Sequence, residues 1–161
     1  YKAVERILDA IKEKKSILIF GDYDVDGTSS AAFLTIFFRS INVESHYYIP
    51  NREKEGYGIS TQGIDYAKYI GADILITCDC GINAFEKVDY ANEKELDVII
   101  TDHHKPDKAL PDAYAIVNPN RFDCPYPFKG LCGASVVFKL ALAILILAIS
   151  INLELALALP Y

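Results

Sequence analysis

The 161 residues contain no methionine and no tryptophan, only four cysteines and only three histidines. Without a methionine even at position 1, the chain is expected to be a fragment of a longer protein. Cys78, Cys80, Cys124 and Cys132 follow no zinc-finger spacing, which argues against a structural zinc site. The simplest expectation is a reduced, cytoplasmic protein. The charged, amphipathic start from Tyr1 to Lys15 does not read as a signal peptide. Basic excess is also missing. A net charge of −6 excludes a global electrostatic footprint for nucleic acid, so any such contact must be local. Hydrophobic residues at 52% and charged residues at 24% are ordinary for one globular domain.

What is present is acid at the ends of apolar runs. Ser16–Phe20 reads as a buried strand and leads directly into Asp22-Tyr23-Asp24-Val25-Asp26-Gly27. Further strands are predicted at Ser45–Ile49, Asp73–Thr77, Asp97–Thr101 and Tyr114–Val117. Helices are predicted at Ser29–Ser40, Thr61–Ile70, Ala84–Lys94 and Ala134–Ile149, with Ser60 or Thr61 and Asn83 as caps. Alternation of this kind predicts an α/β fold, a mainly parallel five-stranded sheet with helices on both faces. The nearly continuous Leu, Ala and Ile from Leu140 to Leu159 is long enough for a membrane span. Ser150, Asn152 and Glu154 interrupt it, so a buried helix is expected and no membrane partner.

The polar clusters fall at corresponding places. The first strand ends in Asp22, Asp24 and Asp26. The third ends in Cys78-Asp79-Cys80-Gly81, and the fourth in Asp102-His103-His104. In a parallel sheet these strand ends share one edge, where open α/β sheets build their sites. Crowded carboxylates raise one another's pKa unless a cation intervenes, and oxygen-rich ligand sets suit Mg²⁺ or Mn²⁺. Asp24, Asp26, Asp79 and His103 make a ligand set for two such ions. Two metals about 3.5–4 Å apart can activate water and stabilise both oxygens of an in-line phosphoryl displacement. A lone aspartate after a strand is more often a turn or a cap; three clusters on one edge make that the lesser reading. Of the adjacent histidines, one is expected on metal and the other on a phosphate or carboxylate, with Asp102 accepting an imidazole N–H from behind. Arg52, Lys54, Arg121, Lys129 and Lys139 lie in or beside loops with Tyr57, Phe122, Tyr126 and Phe128. That mixture suits backbone neutralisation and base stacking, and equally suits ordinary surface charge and core aromatics. Among these we single out Arg52, Tyr57 and Lys129 as substrate-binding candidates. Gly133, opening the last helix, could turn its N-terminus toward a phosphate.

Asp-Tyr-Asp-Val-Asp-Gly upstream of Asp102-His103-His104 resembles the DHH phosphoesterase superfamily. Tyr48-Ile49-Pro50-Asn51-Arg52, Glu55-Gly56-Tyr57-Gly58, Val117-Asn118-Pro119-Asn120 and Tyr126 through Ala134 resemble its RecJ branch. The likeness runs from Ser16 to about Leu140. It implies a DHH catalytic domain over 1–161, incomplete, without the C-terminal DHHA1 and nucleic-acid-binding domains. It implies a 5′-to-3′ single-stranded-DNA exonuclease that releases mononucleotides in repair and recombination with two Mn²⁺ or Mg²⁺ ions. Implied partners are single-stranded DNA and, beside it, single-strand-binding or helicase proteins. By the family pattern Asp24 serves one metal, Asp26 and His103 the other, and Asp79 bridges them. Asp22 lies alongside, and His104 meets the scissile phosphate, so Asp22, Asp79, His103 and His104 form the catalytic set. An oligoribonuclease or cyclic-dinucleotide phosphodiesterase of the same superfamily is the alternative, and a non-catalytic DNA-binding scaffold another. Two departures stand out. Phe20 occupies the position where many members carry histidine, and no Asp follows Asp123 to supply a fourth acidic motif.

Overall fold

A computed structural model describes residues 1–151; Glu154 and the rest of the apolar tail beyond Ile151 lie outside the described residues. Five strands form one sheet: β1 (Ile17–Gly21), β2 (Ser45–Tyr48), β3 (Ile74–Cys78), β4 (Asp97–Thr101) and β5 (Ala115–Val117). Their spatial order is β2-β1-β3-β4-β5, and all four pairings are parallel. The sheet is thus wholly rather than mainly parallel. Every residue of β1 and β3 is buried, as expected for strands covered on both faces.

The helices are α1 (Lys2–Lys12), α2 (Val25–Ser40), α3 (Arg52–Glu55), α4 (Thr61–Tyr69), α5 (Phe85–Glu93) and α6 (Gly133–Ser150). One face of the sheet carries α1, α2 and α6 over Ile17, Ile19, Ile74 and Ile76. The other carries α4 and α5 over Leu18, Phe20, Leu75, Val98 and Ile100. Period-two alternation along β1 therefore divides the core into two layers. Phe20, at the family's histidine position, belongs to the second layer. It is fully buried and stacked on Tyr48 at 5.5 Å, so it offers the acid cluster no ligand.

Three local features differ from expectation. Helix α2 begins four residues earlier than Ser29, because the Asp24 side chain accepts the Gly27 N–H at 2.9 Å and caps it. Asn83 does not cap α5. The N-cap is Ala84, while Asn83 reaches across to the Lys105 carbonyl and the Asp107 N–H. The short α3 was not expected; Asn51 caps it through the N–H groups of Glu53 and Lys54.

By length and composition α6 could cross a membrane, with a mean hydropathy of 2.3. In the fold it lies against α1 and α2, burying Val136, Val137, Leu140, Ala141, Ile144 and Ala148. Phe138, Leu142, Ile146 and Ile149 remain exposed on it.

Candidate two-metal site

The carboxyl ends of β1, β3 and β4 bring the three polar clusters together. Asp22 and Asp79 are each only 1% exposed, and each has a buried Oδ1 that receives no hydrogen bond among the described residues. For Asp79 the nearest polar group is His103 Nε2 at 3.0 Å, a close approach without hydrogen-bonding geometry. Buried carboxylate oxygens without donors are costly, and a cation is the group that relieves them.

Two sets of ligand atoms lie within 4.8 Å of one another: Asp79 with His103 and His104, and Asp22 with Asp24 and Asp79. Asp79 is common to both. Its backbone is left-handed, with φ of 65°, which aims the side chain between the strand ends; aspartate tolerates that region better than most residues. Burial, reinforced by the charges of Asp26 and Asp24, pushes the Asp79 carboxyl up to about 7. Burial, with Asp24 beside it, also raises Asp22. Both shifts are those of carboxylates awaiting a positive partner.

Asp26 is placed differently from the other acids. Its Oδ2 lies 3.6 Å from His103 Nε2, and its two oxygens accept the N–H groups of Gly133 at 2.6 Å and Ala134 at 2.8 Å. The first amides of α6 are thereby committed to a carboxylate of the site. The expectation that Gly133 presents them to a substrate phosphate does not describe this arrangement. Gly133 has a steric role instead. A Cβ there would stand 2.7 Å from Asp79 Cβ and Oδ1, so only glycine lets α6 start so near the shared ligand.

Asp102 sits behind the histidines, 1% exposed. Its Oδ1 accepts from the backbone N–H of His103 (2.7 Å) and His104 (3.0 Å), and lies 2.7 Å from His104 Nδ1. Its Oδ2 accepts the Ile82 N–H at 2.9 Å. Burial alone lowers the His104 pKa. The bond to Asp102 and the charges of Asp102, Asp79 and Asp22 outweigh it, and the net shift is upward. The sequence reading assigned no role to Asn118 or Asn120. Their side-chain amides hold the carbonyls of His104 (2.9 Å) and His103 (2.5 Å), fixing the histidine loop from the far side. The Asn118-Pro119-Asn120 motif was the only signal that could have pointed to them.

Of the residues expected to meet substrate, Arg52 lies 4.8 Å over the Tyr23 ring, and Tyr57 stands edge-on to Tyr23 (6.4 Å) and His104 (6.2 Å). Arg52, Tyr23, Tyr57 and His104 thus form a continuous cationic and aromatic rim. Lys129 lies apart from this rim, its Nζ donating to the carbonyls of Pro119 and Cys124 within its own loop.

The profile of the DHH family, N-terminal domain, matches residues 16–159, and the chain belongs to that family. Within it, the chain is similar to the single-stranded-DNA-specific exonuclease RecJ of Bacillus subtilis, 45% identical over 140 residues that make up 87% of this chain and 18% of that protein. RecJ of Escherichia coli is 42% identical over 142 residues, 88% of this chain and 25% of that protein. The chain therefore spans about a fifth to a quarter of the length of these curated relatives. Among solved structures, exonuclease RecJ bound to manganese superposes with a TM-score of 0.80 at 30% identity, covering 96% of this chain and 38% of the other.

Proposed function

We propose that this chain is the metal-binding segment of a single-strand-specific DNA exonuclease that hydrolyses phosphodiesters with two Mn²⁺ or Mg²⁺ ions. The observation that carries the reading is the sharing of Asp79 between two ligand groups that contain buried carboxylate oxygens without donors. Asp22, Asp24 and Asp79 would hold one ion; Asp79 and His103, with Asp26 beside them, the other. When bound, the ions supply a nucleophile at neutral pH and neutralise charge on the phosphoryl oxygens.

The chain's own residues provide orientation. Asp102 beside Nδ1 of His104 holds a proton on that nitrogen and favours the imidazolium, in which Nε2 also carries one. Raised in pKa, His104 can donate from Nε2 to a non-bridging phosphate oxygen. The α6 amides hold Asp26 in one rotamer, so that its position does not depend on the metal. Arg52 and Tyr57 on the rim suit a phosphate and a stacked base of a single strand. A role in DNA repair and recombination, and association with single-strand-binding or helicase proteins, follow by analogy with the RecJ relatives. A cytoplasmic location is in keeping with four free cysteines, two of them buried.

The test is nuclease activity of the full-length protein with Mn²⁺ on a long 5′-phosphorylated single strand, a duplex and a dinucleotide, with Asp79→Ala as control. Mononucleotide release from the single strand, abolished in the variant, is expected. Activity confined to the dinucleotide would move the protein to a small-substrate branch of the family, and inactivity of the folded, metal-loaded protein would favour a scaffold.

A further inference from the structure

Behind His104, on the side of α4 and α5, lies a cavity of about 490 Å³, a size typical of small-molecule sites. It is lined by Tyr57, Ile59, Ile82, Lys87, His104 and Lys105, among others. It is contiguous with the acid cluster, since His104 and Asp102 line it as well, but Ile59, Lys87 and Lys105 belong to neither ligand group. Tyr57 offers an exposed ring, and Ile59 and Ile82 add buried apolar surface.

The two lysines are positioned independently. Lys87, on the first turn of α5, donates from Nζ to Thr61 Oγ1 at 2.8 Å. Lys105 follows the histidine pair, and its loop is stapled to the start of α5 by Asn83, which bonds both the Lys105 carbonyl and the Asp107 N–H. Neither lysine forms an ion pair among the described residues. The one carboxylate lining the cavity, Asp102, is occupied by three backbone N–H groups and an imidazole nitrogen. In a chain of net charge −6, the cavity therefore presents two uncompensated cations beside aromatic and aliphatic surface. That combination fits an anion attached to a flat, apolar body.

We propose that this cavity is a nucleotide subsite that holds one nucleoside monophosphate unit of the strand next to the scissile linkage. The phosphate lies on Lys87 and Lys105, and the base packs on Tyr57, Ile59 and Ile82. The assignment rests on the nuclease reading above and extends it to residues that the metal site does not use.

The experiment uses the full-length, Mn²⁺-loaded protein and its Lys87→Met/Lys105→Met and Lys87→Arg/Lys105→Arg variants. Thymidine 5′-monophosphate, inorganic phosphate and thymidine are titrated calorimetrically, and KM on a single strand is followed against salt. The methionine pair should weaken thymidine 5′-monophosphate roughly tenfold or more, as expected for loss of charge-assisted contacts. It should raise KM and flatten the salt dependence by roughly 0.7 per lost phosphate contact. The arginine pair should restore most of both. Unchanged nucleotide affinity in the methionine pair overturns the subsite while leaving the nuclease reading intact if the wild type cleaves. Equal affinities for nucleotide and inorganic phosphate also overturn it, since the base would then contribute nothing. Lysine-dependent nucleotide binding by a protein that cleaves no strand would retain the subsite and remove the nuclease.

Discussion

Replacing Asp79 by asparagine should make the metal-free protein more stable and the metal-loaded protein less so. The unfolded chain releases the Asp79 proton near 3.8, whereas the folded chain keeps it to about 7. Between those values the folded state binds more protons, so stability falls as pH rises through this window. A difference of about three pH units at roughly 1.4 kcal/mol each sets a ceiling of about 4 kcal/mol at pH 8. Screening by water at the mouth of the site reduces this to about 2 kcal/mol. Asparagine keeps the volume, tolerates the left-handed backbone at φ of 65° and carries no charge. In a chain of 161 residues the gain corresponds to a Tm rise of about 4–8 °C at pH 8 in chelator. Most of it should vanish at pH 4.5, where the wild-type carboxyl is protonated in the fold. With Mn²⁺ at about a hundred times its Kd, the wild type gains about 2.7 kcal/mol; the variant, deprived of the shared ligand, gains far less and the order reverses. Differential scanning calorimetry at both pH values, with chelator and with Mn²⁺, reads all four states. Equal melting of the two metal-free proteins at pH 8, or a gain just as large at pH 4.5, would refute the account of Asp79 as a strained, cation-seeking acid.

Other substitutions probe the supports. Gly133→Ala puts a methyl group 2.7 Å from Asp79 and should weaken Mn²⁺ binding, read by calorimetry, by about tenfold or more while costing only about 1–3 kcal/mol in stability. Asp102→Ala strips the acceptor from Ile82, His103 and His104, and should cost about 3–5 kcal/mol in denaturant unfolding. Ile144→Ala, on the fully buried face of α6, should cost about 2–5 kcal/mol in the same measurement. A much smaller loss would mean that α6 does not pack on the sheet as described.

β1, β3 and β4 were legible because each is a short apolar run ending in acid or at a turn. Ile74-Leu75-Ile76 and Val98-Ile99-Ile100 have no competing helical period. Convergence of the acids on one edge then followed from parallel topology alone. The start of α2 was not legible. Val25-Asp26-Gly27-Thr28 has the composition of a turn, and only the capping geometry of Asp24 makes it helical. Asn83 has the right chemistry for a cap, but its side chain is drawn to the loop at Lys105–Asp107, which local sequence does not reveal. For α6, length and composition alone admit a membrane span, the polar interruptions favoured a core helix, and its packing against α1 and α2 is a tertiary fact. The tie between Asp26 and Gly133 is a tertiary contact without any local signature.

That tie also has a temporal side. Asp26 and the Gly133 amide are 107 residues apart in sequence. A ribosome adding roughly 5–20 residues per second leaves the first acids waiting about 5–20 s for the amides that hold one of them. During that interval Asp22, Asp24 and Asp26 stand close together in sequence without the α6 amides. The final described helix answers one of these acids, Asp26; Asp22 even then keeps a buried oxygen without a donor among the described residues, and a cation is what would relieve it. A metal encountered during synthesis would act as a folding template as well as a reagent.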